Sequence, residues 1–455
     1  MTGIPLIIAF VIAIALMIFA ISKLKIHPFL SIMAIALIFG IIAGIPLAEL
    51  PNVIGTGFSN TFKSIGIVII FGALIGTLLE KTGAALKMAD VVVRLVGKKR
   101  PELAMLLMGW IVSIPVFCDS GFVILNPIRR ALVKRTMRSS VASTVALSMG
   151  LYISHCFIPP TPGPIAAANT LYEGLGQEVN LLLVIVFGVI ASILPLIAAY
   201  LFAIAVGKRV KSREELNADD GEIVQTYEEL VASYGKLPNA WLSFAPIVVP
   251  ILLMSLSSAF NMAHLSVPII TFLGTPIIAI AVGALLALSL LKAQKRMKDF
   301  YEITNETLKI VGPILFITAA GGVLGTVIAN TSMVDYIKEN STTLSLLGLM
   351  FPFLLSAILK TAQGSSTVAI TTTAGIIAPM LSTIGLGTPA LAALTVIAIG
   401  AGAMTVSHAN DSYFWVVTNF GNMKVEDGYK TQTLGTLVVG IASIINAYII
   451  YFFVR

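Results

Sequence analysis

Apolar runs long enough to cross a bilayer recur along the whole chain, most clearly at residues 3–22, 28–50, 181–206, 268–291 and 432–454. A helix needs about 20 such residues to span the hydrocarbon core, whereas a transmembrane barrel would show short alternating strands. Only 11% of the residues are charged and 57% are hydrophobic, against roughly 25% charged in a soluble domain. The expected class is therefore all-α and polytopic, with the lipid bilayer as its solvent.

The net charge of +7 does not imply a nucleic-acid partner, because the basic residues sit in short segments between apolar runs, as topology determinants do. No Lys or Arg precedes the first run and no small-residue cleavage site closes it, so residues 3–22 read as a retained span that starts outside. Walking on from there places residues 23–27, 80–102, 208–239 and 292–309 inside and 51–64 and 172–180 outside. All but four of the 29 basic residues (Lys63, Lys338, Lys360 and Arg455) then face the cytoplasm. The stretch 103–128 is broken by Pro115 and Asp119 and has basic flanks on both sides, Arg129, Arg130, Lys134, Arg135 and Arg138 among them. It is expected to enter and leave from the inside as a re-entrant hairpin. Cys118 and Cys156 imply no disulfide framework.

The polar stretch 208–240 separates two similar parts, 1–207 and 241–455. GALIGTLLEKT at 72–82 is echoed by GGVLGTVIANT at 321–331, and Ser154-His155 by Ser407-His408. On the topology above the two parts are inverted, an arrangement in which secondary transporters build a midplane site from discontinuous helices. The first part would hold scaffold spans 3–50, a transport portion at about 65–172 and a linking span 181–206. The second would hold scaffold spans 241–291, a transport portion at about 309–421 and a final span 432–454.

Ionisable residues at membrane depth are functional candidates. Here they are Asp119, His155, Lys360, His408 and Asp411, each in or beside a broken segment. Asp119, His155, His408 and Asp411 are candidates for proton coupling; each histidine could equally be a hydrogen-bonded packing residue. Candidate substrate contacts are Ser120 and Gly121 in the first break. Pro160, Thr161 and Gly163 follow in the proline-rich second, where a half-helix N-terminus suits a carboxylate. Gln363, Gly364, Ser365, Ser366 and Thr367 lie in the second-half hairpin, and Asn410 and Ser412 beside Asp411. Lys360 is either a charge partner there or a side chain snorkelling to the interface. There is no GxxxxGK[ST] loop and no metal-ligand spacing, and no cofactor is expected. An intramembrane hydrolase is the rival class, but no GxSxG elbow supports it.

At IPVFCDSGFV (114–123), PPTPGPIAAA (159–168), AQGSSTVA (362–369) and SHANDSYFW (407–415) the chain resembles the gluconate permease family of proton symporters, within the ion-transporter superfamily. The resemblance covers essentially the full length. It implies proton-driven uptake of gluconate or a related small acid such as glycerate or D-serine across the bacterial inner membrane. It also implies an elevator-type transporter with two re-entrant hairpins, and homodimers joined through the scaffold. The chain departs from the family pattern at Thr161, where PPHPGP is common, and at Lys360, where Arg commonly precedes AQGS. Lys lacks the planar bidentate fork of Arg, so both departures bear on substrate identity.

Overall fold

The apolar runs fold as helices, and among the described residues there is no strand. The structure is a computed structural model and describes residues 2–97, 100–136, 138–216, 237–262, 265, 267–333, 336, 347–408 and 411–455. Among them, seven helical stretches are long and apolar enough to cross a membrane, or eight if one bent pair counts as a span.

The first part runs through α1 (Gly3–Ser22), α2 (Pro28–Ala43), α3 (Leu50–Thr61), α4 (Ile67–Lys81), α5 (Ala84–Val96), α6 (Pro101–Val112) and α7 (Cys118–Thr136). It continues with α8 (Ser140–Phe157), α9 (Pro162–Gly174), α10 (Leu181–Ala191) and α11 (Ile193–Gly207). The second part holds α12 (Ala240–Met262), α13 (Pro268–Gly274), α14 (Pro276–Ala293), α15 (Phe300–Ala329) and α16 (Met350–Gln363). After these come α17 (Ser366–Ile377), α18 (Pro389–Met404), α19 (Ser412–Phe420) and α20 (Leu434–Val454).

Several expected boundaries are corrected. The run 28–50 stops at Ala43, where Gly44 turns left-handed at φ 91°, a conformation glycine adopts without steric cost. The run 268–291 is two helices, because Thr275 is extended ahead of Pro276, as a residue before proline tends to be. Residues 51–64, expected as an external loop, form α3 and a π-helical turn at Phe62–Gly66. The stretch 80–102, expected as a cytoplasmic loop, contains α5, bent 72° from α4. Its buried Ala85, Met88, Ala89, Val92 and Val93 recur at helical spacing. Its buried Asp90 is held by Lys87 and Arg94, each at 2.9 Å. Arg129, expected as part of a cytoplasmic basic flank, is fully buried in α7. It donates to Asn126 Oδ1 at 2.7 Å and to Ser140 Oγ at 2.5 Å.

Burial sorts the helices. The most apolar window of Ser140–Gly174 is entirely buried, against 22% of the window in Gly3–Ile21. Every residue of α17 is buried as well, whereas α1 exposes Ile4, Ile8, Val11, Ile12, Leu16 and Phe19. The outer helices thus present apolar side chains to lipid, and α8, α9 and α17 form the interior.

Backbone groups freed by kinks find protein partners, as a bilayer demands. Pro195 has no N–H for the carbonyl of Ala191, and Asn446 Nδ2 of α20 donates to that oxygen and to Ile190 O, both at 3.0 Å. At the α4–α5 bend the carbonyls of Lys81 and Thr82 accept from Arg296 and Gln294 at 2.9 and 2.7 Å. The repeated glycines have a packing reason. Gly72 and Gly76 seat α4 against the carbonyls of Pro160 and Pro115, while Gly321 and Gly325 seat α15 against Thr371 and Gly375 of α17. A Cβ at Gly76 would overlap the Pro115 carbonyl, and such overpacking costs about 1–3 kcal/mol. Gly76→Ala is expected to lower the thermal midpoint of the detergent-solubilised protein, whereas Gly55→Ala, with nothing within 4 Å, should not. Equal midpoints for the two variants would refute this packing role.

Candidate functional site

Four interruptions converge on the interior. Ser113–Phe117 separates α6 from α7 at Pro115, and Ile158–Thr161 separates α8 from α9 within the proline run. Between α16 and α17 the chain turns at Gly364, left-handed at φ 90°, whose N–H closes on Lys360 O at 2.8 Å. Between α18 and α19 the described residues include Val406 at φ 59°. That region is rare for a β-branched residue, and such strain gathers at functional sites.

Lys360, in the last turn of α16, is fully buried. Its ammonium donates to Asp411 Oδ2 at 2.5 Å and also to the carbonyl of Gly364 at the turn. It lies 5.8 Å from the ring centroid of Tyr152. Lys360 is therefore paired with an internal carboxylate in the protein interior and does not extend to the interface. Asp411 is the N-cap of α19, taking the Tyr413 N–H on Oδ1 at 3.0 Å. Its Oδ2 accepts from Ser407 Oγ at 2.5 Å and from the Tyr152 hydroxyl at 3.4 Å. Across α19, Ser412 Oγ donates to Asp119 Oδ1 at 3.4 Å. The buried Lys360–Asp411 pair thus lies close to a second, half-buried carboxylate, Asp119.

The structure brings Lys360, Gly364, Asp411, Ser412 and Asp119 together, and Ser366 lies beside Tyr152 and Cys156. Ser365 caps α17, accepting from Val368 N at 3.3 Å. Ser366 and Thr367 then supply first-turn N–H groups of the kind left without intrahelical acceptors. The proline-rich start of α9 offers less: Pro162 and Pro164 have no N–H, which leaves Gly163, itself packed on Ile370. The Pro160 carbonyl faces Gly72. Thr161 Oγ1 donates to the carbonyls of His155 and Ile158 at 3.0 and 2.8 Å, closing the break it sits in. Ser120 lies beside Glu80, and Gly121 packs on Leu151.

The two histidines are not equivalent. His155 is buried beside Phe117, with no partner for Nδ1. The more exposed His408 meets the Thr361 carbonyl at 3.1 Å through Nε2. The Gln363 side chain and Asn410 lie outside the described residues. Sequence reasoning missed Tyr152, Ser407 and Tyr413. Ser407 stood in the repeated Ser-His pair, but an aromatic residue in an apolar helix gave no signal. Among the described residues, no three His, Cys, Asp or Glu side chains are grouped to hold a metal ion. The arrangement places one buried cation and the first-turn N–H groups of α17 beside two carboxylates.

A family profile described as GntP family permease matches residues 4–453. An uncharacterized permease of Haemophilus influenzae is 34% identical, over 97% of this chain and 91% of that protein. A gluconate permease of Zymomonas mobilis is 29% identical, over 95% of each. In fold the chain is similar to the YdaH transporter of Alcanivorax borkumensis, with a TM-score of 0.69 at 13% identity, covering 94% of this chain and 99% of that one.

Removing one member of a buried pair costs about 3–5 kcal/mol, whereas replacing both by neutral groups is often nearly neutral. Lys360→Met should accordingly lower the thermal midpoint sharply, and adding Asp411→Asn should restore most of the loss. A double variant no more stable than Lys360→Met would refute the pair as the source of the effect.

Proposed function

We propose that this chain, which belongs to the GntP family of permeases, is a secondary transporter that carries a small hydroxylated organic acid together with protons across the bacterial inner membrane. The observation that carries this reading is the ammonium of Lys360, the one buried lysine among the described residues, set against the buried carboxylate of Asp411 and the half-buried carboxylate of Asp119 where broken helices meet. An acid that enters such a site adds a third negative charge. Burying it without compensation is costly, and protons taken up with it supply the balance. The charge count supports co-transport of a cation, which we read as the proton.

The substrate carboxylate would sit on Lys360 and the first-turn N–H groups of Ser366 and Thr367, with its hydroxyls reaching Ser412. The similarity to a protein named gluconate permease favours gluconate or a related sugar acid, with glycerate and D-serine as shorter alternatives. We read α6–α7 and α16–α17 as the two re-entrant hairpins of an inverted repeat, and α1 as entering from outside. The buried α8, α9 and α17 would belong to a moving transport domain and the lipid-exposed helices to a dimeric scaffold. This elevator reading is supported by the contrast in burial between the two sets.

The test is uptake of labelled gluconate, glycerate and D-serine into proteoliposomes. An inward proton gradient should drive accumulation of at least one of them, and a protonophore should abolish it. Accumulation that follows a Na⁺ gradient and ignores pH would overturn proton coupling, and equilibration without any gradient would indicate a facilitator.

A further inference from the structure

The partners of Lys360 carry a second inference, which rests on the transport reading above. Its ammonium has two oxygen partners: the Gly364 carbonyl, part of its own turn, and a carboxylate oxygen of Asp411 from another segment of the chain. The first is an anchor. The second is chemically the same group that the substrate would present. A substrate carboxylate cannot join Asp411 on this cation without placing two anions side by side in a buried site, where like charges repel strongly.

We propose that Asp411 is the internal occupant of the carboxylate subsite: the substrate carboxylate displaces it from Lys360, and Asp411 leaves the pair as the neutral acid, carrying the coupled proton. The exchange balances. One ion pair, Lys360 with Asp411, is replaced by another, Lys360 with the substrate; one proton from water goes to Asp411, and the site's net charge is unchanged. Substrate and proton then favour each other's binding by the same factor, as linkage requires.

The surroundings of Asp411 suit both of its forms. Ser407 and Tyr152 contact Oδ2 through hydroxyls, which donate to a carboxylate and can turn to accept from a carboxylic acid. The Tyr413 N–H on Oδ1 serves the carbonyl oxygen in either form. The other titratable groups that face Asp411 are Tyr152, His155 and Cys156 of α8 and Cys118 and Asp119 of α7. Tyr413 lies on its own helix, and His408 precedes it in the break. Of these, Tyr152 approaches the cation by its ring face at 5.8 Å, whereas the ion pair is with Asp411. The hydrogen bonds of Asp119 run to Ser412 and Cys118, so displacement from Lys360 does not link its protonation to the substrate.

The inference is tested with gluconate on the full-length protein. In weakly buffered detergent solution, a pH-indicator dye should report uptake of one proton for each gluconate bound by the wild type. In proteoliposomes, Asp411→Asn should still exchange gluconate, but the half-saturation concentration should lose its dependence on pH. Gradient-driven accumulation should fall to the equilibrium level. Gluconate binding to the wild type without proton uptake overturns the exchange while leaving a carrier in place, and that measurement does not depend on the folding of any variant. Wild-type accumulation by Asp411→Asn also overturns it. If the wild-type protein takes up none of the three acids, the transport reading itself falls, and the inference with it.

Discussion

A helix that breaks inside a bilayer strands carbonyls and amides that water cannot reach, and each must find a partner in the protein. Much of this structure answers that demand. Asn446 reaches across from α20 to the carbonyls freed at Pro195. Gln294 and Arg296 serve those at the α4–α5 bend, and Thr161 closes the proline break with its own hydroxyl. Glycines at 72 and 76 let α4 approach the broken segments at Pro160 and Pro115 closely, and those at 321 and 325 let α15 pack against α17. The breaks at the centre are tolerated because the surrounding helices wrap them.

Charge obeys the same rule more strictly. Asp90 sits between Lys87 and Arg94, and Arg129 is surrounded by Asn126 and Ser140. These are local arrangements or contacts between successive helices. Lys360 and Asp411 differ: they are 51 positions apart and come from separate interrupted segments. Their contact joins the turn between α16 and α17 to the break before α19. A change at either group therefore bears on both segments.

Sequence reasoning reached the helical class, the interruptions at Pro115, at the proline run and at Gly364, and the residues Asp119, Lys360 and Asp411. These signals are local: hydropathy, residues that cannot continue a helix, and charge where charge is costly. What escaped depends on direction and distance. A hydropathy run does not register a left-handed turn at Gly44 or an extended Thr275. Successive helical residues point about 100° apart, so Asp119 and Ser120, adjacent in one motif, face Ser412 and Glu80 respectively. Tyr152 gave no signal because its contact is with Asp411, 259 positions away.

If a substrate carboxylate displaces Asp411 as proposed, the complete burial of Lys360 has a consequence for what the protein would refuse. A neutral sugar with the same hydroxyls could match the substrate in size, but it brings no charge to replace Asp411. Leaving either member of the pair bare costs about 3–5 kcal/mol, which corresponds to roughly two to four powers of ten in occupancy at 1.36 kcal/mol per power. Discrimination against uncharged look-alikes would then need no steric filter.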